Sequence, residues 1–202
     1  MKKLSLLLVG LLAIATCTTV MAQYRGFVSF GWKLGQALEE TEDFIDEPSL
    51  EGVHFGLEGF VTTNFSMGVD ISYSHFYQET GKTSYEFGNR TFTGAGFKYF
   101  DAAPMLFTMK QYVGLGNPRS VFSPYIGIGG GTYFIRERLE IGSVAFEDDG
   151  WVLGYAPLFG FMIRMDEQAW FFVDAAYNRT FERNEIEEHT FVTGTVGIRI
   201  GF

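Results

Sequence analysis

The last twelve residues, Phe191 to Phe202, read FVTGTVGIRIGF and alternate between two kinds of side chain. Every second residue is apolar or glycine, and the residues between them are small or polar and include Arg199. The apolar set ends in four residues: Val196, Ile198, Ile200 and Phe202. A period of two predicts a β-strand with two unlike faces. Such a strand turns its apolar face either to the core of a soluble sheet or to lipid around a membrane barrel.

The amino terminus has the pattern of a bacterial secretory signal peptide, which we assign to residues 1–22. Two lysines precede an apolar run from Leu4 to Ala15, and small residues follow before the expected cleavage point. The run is too short to be a spanning helix. Lipidation of the only cysteine, Cys17, is an alternative that Thr16 disfavours, because Gly, Ala or Ser normally precedes a lipidated cysteine.

The remaining residues, 23–202, are expected to form one domain. Without the two lysines of the signal peptide the formal charge changes from −9 to −11, which argues against nucleic acid as a partner. The chain has 25 glycines and 22 phenylalanines, a combination that suits many strands with aromatic faces better than helices. After residue 22, no stretch is apolar for the roughly 18 residues of a spanning helix.

Eight segments show strand-like alternation or a weaker form of it. The predicted strands are residues 23–34, 52–61, 65–77, 91–112, 122–135, 151–163, 169–178 and 191–202. Long polar segments alternate with short turns between them, and the long segments are residues 35–51, 78–90, 136–150 and 179–189. We therefore predict an all-β fold: an eight-stranded antiparallel up-and-down transmembrane β-barrel with four long extracellular loops and three short periplasmic turns.

The fourth strand fits this pattern least well. Asp101 shares the parity of the apolar residues Tyr99 and Met105, so a charge would fall on the apolar face. A β-bulge near Pro104 would reset the register, since proline lacks the N–H that a strand ladder uses.

The charged residues of the clear strands all lie opposite the apolar face. They predict an interior charge network of Arg25, Lys33, Glu58, Asp70, Asp174 and Arg199. Placing Arg or Lys on the lipid face would cost about 2–4 kcal/mol at the bilayer midplane. The face that carries the charges is otherwise rich in Gly, Ser, Ala and Thr, which suits the narrow interior of eight strands. We therefore expect a polar interior of small residues and paired charges, with the aromatic face in lipid.

With these features the chain resembles the small eight-stranded outer-membrane β-barrels related to the OmpA barrel domain and OmpX. The signal peptide, the alternating segments and the stretches Tyr99 to Phe107 and Ser123 to Gly131 carry the resemblance. It implies location in the outer membrane and contact with outer-membrane lipids and lipopolysaccharide, and we expect a monomer. It also implies that the barrel-assembly machinery reads an assembly signal formed by Val196, Ile198, Ile200 and Phe202.

The sequence predicts no catalytic, metal or cofactor site. The histidines His54, His75 and His189 lack the spacing of metal ligands. Ser74 and His75, close to Asp70, suggest a hydrolase, but adjacent residues of a strand point to opposite faces. We therefore expect a protein that is not an enzyme.

The predicted first loop is strongly acidic and contains no Lys or Arg. Its carboxylates are Glu39, Glu40, Glu42, Asp43, Asp46, Glu47 and Glu51. We favour a barrel with a plugged polar interior and a structural or surface-interaction role through acidic extracellular loops.

Three alternatives remain open. The main alternative is a narrow channel for ions or small solutes, in which the interior charges line a pore. A lipid-modifying or lipid-transporting barrel is less favoured, although Pro104 or Pro157 would interrupt the wall that it needs to open. A soluble ligand-binding barrel is the last, with its apolar face inside.

Overall fold

The computed structural model describes residues 25–87, 90–117, 119–142, 144–183 and 186–202. The predicted signal peptide, residues 1–22, lies outside these ranges. The described elements are β1 (Gly26–Leu38), α1 (Glu40–Phe44), β2 (Glu51–Phe60), β3 (Phe65–Phe87), β4 (Arg90–Tyr112), β5 (Phe122–Ile141), β6 (Val144–Arg164), β7 (Ala169–Thr180) and β8 (Thr190–Gly201). Within these ranges, no helix has the length and hydropathy needed to cross a membrane.

The eight described strands form a closed antiparallel barrel in sequence order. The last strand pairs with the first, from Phe27 opposite Gly201 to Leu38 opposite Thr190. This closure gives every strand two hydrogen-bonded neighbours. A sheet that spans a bilayer needs this because its backbone N–H and C=O groups find no water in the hydrocarbon region. The predicted fold class and the predicted pairing of the first and last strands are confirmed.

Two of the four predicted long loops are largely strand instead. β3 and β4 extend through residues 78–90 and leave only residues 88–89 between them. β5 and β6 likewise extend through residues 136–150 and leave residues 142–143. The sequence conceals these extensions because a strand beyond the membrane meets water on its outer face and needs no apolar alternation there. Long connections remain at residues 39–50, which include α1, and at residues 181–189.

The predicted bulge near Pro104 is wrong. Pro104 pairs with Tyr133 of β5 in a continuous register. On the β3 side, the pairs Ile71–Met105 and Ser74–Ala102 flank it without a shift. The ladder therefore lacks the hydrogen bond of a Pro104 N–H, but no extra residue is inserted and no bulge forms. The shift between β3 and β4 lies farther up, between Thr80 and Lys82.

The outside of the barrel carries a belt of large apolar side chains. Every strand except β7 contributes large apolar side chains that are 39–66% exposed, and the outward side chains of β7 are half-buried. Representative members are Phe30, Leu57, Ile71, Phe107, Ile128, Phe159 and Ile198. A soluble protein rarely exposes so much contiguous apolar surface, whereas a barrel in lipid requires it.

The interior is less polar than the sequence predicts, because aromatic side chains fill it near both ends. The extracellular cluster contains Ala37, Ile45, Phe76, Phe100, Ala102, Leu106, Tyr133, Ile135, Val152, Ala156 and Phe191. The periplasmic cluster contains Phe27, Tyr112, Leu115, Tyr125, Met162, Trp170 and Phe172.

Glycines on nearby strands make room for these interior rings. A methyl group added at Gly35 would lie 2.7 Å from the ring of Phe76. One at Gly154 would lie 2.7 Å from the ring of Tyr133. The small residues on the inner face therefore make room for large side chains of other strands. The interior around them is filled and is not an open lumen.

Candidate functional site

Arg199 is the centre of a cluster of charged and phenolic side chains in the membrane-spanning part of the interior. Its guanidinium is fully buried and donates from Nη1 to the Tyr112 hydroxyl at 2.9 Å and from Nη2 to the Tyr125 hydroxyl at 2.8 Å. Tyr112 donates in turn to Glu58 at 2.7 Å. Tyr125 donates to Asp174 at 2.9 Å. Two phenols thus connect one buried cation to the buried carboxylate of Glu58 and the partly buried carboxylate of Asp174, which gives the charge the partners that burial requires.

Direct ion pairs and aromatic faces complete the surroundings of Arg199. Its Nη1 lies 3.7 Å from Oε1 of Glu58, and its Nη2 lies 3.6 Å from Oδ2 of Asp174. The guanidinium carbon lies 4.4 Å from the ring centre of Phe172 and 4.5 Å from that of Tyr125. The planar cation is held between rings as well as between carboxylates.

Lys110 holds the other half of the cluster. Its Nζ lies 3.0 Å from Oδ2 of Asp70 and 3.7 Å from Oε2 of Glu58. Glu58 also accepts a hydrogen bond from Ser66 at 2.9 Å. Glu58 is therefore shared between Lys110 and Arg199, so the two ion pairs form one network rather than two separate ones.

The predicted site residue Lys33 lies nearby and is buried, donating to Ser72 at 2.9 Å. His54 is buried beside it, with Nε2 3.2 Å from the hydroxyl of Ser29. Arg25 does not join the cluster: it is exposed and precedes β1 at the periplasmic end. Of the six residues predicted to face the interior, the structure places five there, all but Arg25.

Sequence reasoning missed Lys110, Tyr112 and Tyr125. Lys110 has the same parity as the inward-facing residues of β4. The sequence did not reveal this because the register around Asp101 was uncertain. With it, the cluster has three cations, Lys33, Lys110 and Arg199, against three anions, Glu58, Asp70 and Asp174. The predicted set was already balanced, because it counted Arg25 as its third cation, so a count of charges could not have revealed Lys110.

Loop residues and α1 cover the extracellular end of the barrel. Thr41 of α1 is buried, and its hydroxyl accepts a hydrogen bond from the Thr190 amide at 2.9 Å and lies 3.4 Å from His189 Nδ1. Phe44, at the end of α1, packs on the extracellular cluster, with Lys98 Nζ 5.5 Å from its ring centre. This inward-folded helix ties the first long loop to β8.

Two titratable groups lie under this cover. His189 is buried against the Phe100 ring, and its burial lowers its pKa to about 4. Its Nδ1 lies 3.9 Å from Oε1 of Glu137. Burial, with the carboxylates of Glu187 and Asp148, raises the pKa of Glu137 to about 7. Near neutral pH, His189 is therefore uncharged and Glu137 is partly protonated.

A row of charged side chains crosses the outer face of the barrel where the apolar belt ends. Its members pair in register from β2 to β6: Glu51, His75, Asp101, Arg136 and Asp149. Asp101 accepts from the Tyr73 hydroxyl at 2.6 Å and lies 2.6 Å from Nδ1 of His75. Asp101 is thus satisfied on the outer face, and His75 pairs with it rather than with Ser74 or Asp70.

In the described residues, no three His, Cys, Asp or Glu side chains are grouped to hold a metal ion. Ser74 points inward and is buried, while His75 is on the outer face. The hydrolase arrangement considered from the sequence therefore does not assemble.

The barrel wall is interrupted beside Pro157. The ladder between β6 and β7 pairs Tyr155 with Arg179 and Leu158 with Ala176, with no pairs between these two. On the inside, Asn178 fills this position and hydrogen-bonds to the Tyr133 hydroxyl, to Thr193 and to the Phe191 carbonyl. The register is unchanged, so Pro157 produces a gap in hydrogen bonding and not a bulge.

All seven carboxylates of the predicted first loop are exposed. Exposed members are Glu39, Glu40, Glu42, Asp43, Asp46, Glu47 and Glu51. Asp46 contacts the side-chain amide of Gln78, and the Tyr177 hydroxyl donates to Glu39 at 3.4 Å. The acids therefore form an exposed anionic surface above the covered end of the barrel.

The predicted assembly residues share the outer face of β8. Ile198, Ile200 and Phe202 are exposed, and Val196 is half-buried. The carbonyl of Phe202 accepts from the Arg25 amide at 2.7 Å, and its amide donates to Gly26 at 3.1 Å. The terminal residue thus closes the β1–β8 seam through its backbone and leaves its ring outside.

Solved structures with this fold are small outer-membrane barrels. Neisserial surface protein A is 11% identical, with a TM-score of 0.56 over 88% of this chain and 97% of that chain. Ail of Yersinia pestis, in complex with the heparin analogue sucrose octasulfate, is 12% identical, with a TM-score of 0.53 over 88% and 99%. OprG from Pseudomonas aeruginosa is 12% identical, with a TM-score of 0.53 over 90% and 99%.

The likeness confirms the predicted fold class. No family model and no curated protein sequence matches the chain. A closed eight-stranded barrel of this fold, with an apolar belt around its outside, is located in the bacterial outer membrane.

Proposed function

We propose that this outer-membrane barrel acts at the cell surface through its acidic extracellular loops, and that its interior is a closed plug. The observation that carries the proposal is the position of Arg199. Its buried guanidinium is held by two phenols and two carboxylates from other strands, with the ring of Phe172 against it. An ion that passed this level would have to displace a network of charges that are already paired, in a medium where unpaired charges are costly.

The packing at the two ends supports the same conclusion. The extracellular cluster of aromatic side chains lies above the charged network, and α1 covers it. The alternative, a narrow channel, needs a polar route past Phe76, Phe100 and Phe191, whose side chains are all buried in contact with one another. The lipid-transport alternative needs an opening at Pro157, which Asn178 occupies from inside.

The working surface is then the exposed helix α1 with its flanking carboxylates. Because Glu40, Glu42 and Asp43 are exposed on a helix anchored by buried Thr41, the anionic surface is held in a fixed position. Such a surface favours cationic partners and repels polyanions. It therefore differs from a surface that would suit a sulfated sugar such as the one in the Ail structure.

The test is binding of the refolded barrel, in nanodiscs of neutral lipid, to an immobilised basic polypeptide such as polylysine. We expect the triple variant E40Q/E42Q/D43N to lose most of the salt-sensitive binding of the unaltered barrel. The matched control, D166N/E167Q, neutralises two acids of the periplasmic turn and keeps the binding. Equal binding by the triple variant and the unaltered barrel would contradict a surface role for α1.

We infer three further partners or states from the architecture. The apolar belt contacts the acyl chains of outer-membrane lipids and of lipopolysaccharide. The barrel-assembly machinery reads Val196, Ile198, Ile200 and Phe202, whose side chains are presented on the outer face of β8. The protein is a monomer, because closure of β8 on β1 leaves no strand edge in the membrane for a second copy to pair with.

A further inference from the structure

The upper part of β6 is an open edge of the sheet. The last register pair of β6 with β7 is Gly154 with Thr180, whereas its pairing with β5 continues to Val144. Within the described part of the chain, residues 144–150 therefore have a strand neighbour on the β5 side only. This stretch extends from the charged row away from the apolar belt, so water surrounds it.

Two carbonyls lower on β6 show which backbone groups face the open side. The Leu153 carbonyl accepts from the Phe181 amide at 2.8 Å, and the Trp151 carbonyl accepts from Nη1 of Arg183 at 3.2 Å. Because the backbone groups of successive residues alternate between the two sides of a strand, every second residue farther up faces the same way. These residues are Asp149, Glu147 and Ala145.

The open side of this stretch holds backbone donors and acceptors out to water. Ala145, Glu147 and Asp149 are exposed, and no described backbone group pairs with them from that side. The register with β5 runs without a shift from Gly150 to Val144, so the stretch is a regular strand. A regular strand with one free side is a template on which another strand can form.

The side chains of the stretch are acidic on both faces of the sheet. Glu147 and Asp149 lie on the outer face with Trp151, and Asp148 lies on the inner face. Oε1 of Glu147 lies 3.5 Å from Nε of Arg136. Asp148 and Asp149 are exposed and form no ion pair with any described residue. Two adjacent carboxylates, one on each face, therefore lack a cation.

Neighbouring residues add to the negative charge. Glu182 and Glu187 are exposed in the adjoining connection. Burial, with the carboxylates of Glu187 and Asp148, raises the pKa of Glu137 to about 7, as expected where negative charges are not compensated. Arg183 contributes a cation, but its guanidinium is engaged by the Trp151 carbonyl. The edge therefore favours a cationic occupant.

A second copy of the chain does not fit this edge. Two β6 edges paired with each other would bring Glu147, Asp148 and Asp149 close to the same three acids, and like charges on paired strands are destabilising. An extended segment rich in Lys or Arg would instead place opposite charges beside these acids.

We propose that residues 144–150 of β6 bind an extended basic segment of a partner protein, which adds to the sheet as a strand. The backbone groups of Ala145, Glu147 and Asp149 pair with the segment, and its Lys or Arg side chains lie beside Asp148 and Asp149. At about 3.3 Å per residue the edge spans about 23 Å, the length of an ordinary strand. The proposal goes beyond the surface role of α1 and does not depend on it, since α1 is a separate element.

The test follows amide hydrogen exchange of residues 144–150 in the barrel refolded into nanodiscs of neutral lipid. The probe is a synthetic peptide in which lysine alternates with valine. We expect it to slow exchange at Ala145, Glu147 and Asp149 by about tenfold or more at saturation. The same peptide methylated at every backbone nitrogen keeps its charge but cannot donate hydrogen bonds. It should bind at least about tenfold more weakly and give no protection.

Proline at Ala145 tests the backbone contact from the side of the barrel. A145P removes an N–H that points away from β5, so the β5–β6 ladder is kept. It should weaken peptide binding about fivefold, the loss of one hydrogen bond. The matched control A145S keeps the N–H and should keep the binding.

Charge variants test the preference for a basic segment. D148N/D149N should weaken peptide binding about fivefold through the loss of two cross-strand charge pairs. D166N/E167Q, which alters two acids of the periplasmic turn, should not weaken it. The α1 variant E40Q/E42Q/D43N should keep the protection of residues 144–150, so failure of either proposal can be recognised separately.

The opposite results would overturn the proposal. Equal protection by the plain and the methylated peptide would mean that charge alone attracts the peptide, and equal binding by A145P and A145S would exclude strand addition. Protection without peptide that increases with the concentration of the barrel would identify a second copy as the occupant. Heat-modifiable migration on a gel verifies that every variant is folded.

Discussion

Arg199 and Glu58 meet across the barrel interior, although β1 separates their strands β8 and β2. Nη1 of Arg199 lies 3.7 Å from Oε1 of Glu58, and the Tyr112 hydroxyl bridges them at 2.9 Å and 2.7 Å. The bridge brings in β4, which is not paired with either strand. The charged network therefore braces the barrel across its width, in addition to the hydrogen bonds around its wall.

Removing the cation should destabilise the barrel strongly. In R199M, Glu58 and Asp174 both lose the buried cation that they share, and breaking such a buried pair costs about 3–5 kcal/mol. Urea unfolding of the refolded barrel in lipid vesicles measures the loss. The matched control R25M alters an exposed arginine outside the network and should change the free energy of unfolding by less than about 0.5 kcal/mol. Equal stability of R199M and the unaltered barrel would show that the network contributes no bracing.

Two glycines of β8 should differ sharply in their tolerance of alanine. A methyl group at Gly197 would lie 2.1 Å from the Phe30 carbonyl oxygen and 2.8 Å from the ring of Phe172, whereas at Gly194 the nearest atom is 3.9 Å away. We expect G197A to lower stability by about 1–3 kcal/mol through forced backbone movement. G194A should be close to neutral. The heat-modifiable gel mobility shift of each variant is measured as a function of urea concentration. Identical unfolding curves for G197A and G194A would contradict the interior packing described above.

The stability of the segments that cover the extracellular end should depend on pH through Glu137. Its pKa is raised from 4.5 to about 7, so between these values the folded state keeps a proton that the unfolded state has released. The resulting stability is fully present below pH 4.5 and is lost as the pH rises through 7. Amide hydrogen exchange at Thr190, which donates to Thr41, should therefore speed up from pH 6.5 to 8 beyond the intrinsic base-catalysed rise. E137Q should remove this excess.

His189 should act in the opposite direction. Burial lowers its pKa from 6.5 to about 4, so its contribution is present above pH 6.5 and is lost as the pH falls towards 4. Protection of the Thr180 amide, which donates to the His189 carbonyl, should weaken below pH 5. The variant H189Q cannot titrate and should remove that dependence. If protection of the Thr180 amide weakened below pH 5 to the same extent in H189Q, a group other than His189 would control this pH dependence.

Deletion of Phe202 should impair assembly in cells more than it impairs the folded barrel. Its ring is exposed to lipid, and its loss removes only the backbone bonds at the end of the β1–β8 seam. The amount of heat-modifiable protein in the outer membrane measures assembly, and refolding in vitro measures the barrel itself. F202A, which keeps the backbone bonds, should show the same assembly defect with normal stability. Normal membrane levels of both variants would refute an assembly signal at this end.

The alternation of side chains was sufficient to predict the barrel, its closure and the inward position of Glu58 and Arg199, because lipid allows only one orientation of a charged strand face. It did not reveal Lys110, because Asp101 breaks the parity of the same strand. Asp101 is accommodated by Tyr73 and His75 from β3, a contact between strands that no local pattern encodes. The aromatic interior was also missed because it depends on contacts between strands. The glycine that makes room for a ring such as Phe76 lies on another part of the chain.

Ion conductance across a planar lipid bilayer is the most direct test of whether the interior is a closed plug. The refolded barrel is added to one side at neutral pH and a steady voltage is applied, with its insertion verified by heat-modifiable migration of protein recovered from the same vesicles. We expect a flat current, because Arg199 and its partners occupy the described part of the membrane-spanning interior with charges that are already paired. Clean, reproducible conductance steps from the unaltered barrel would contradict it.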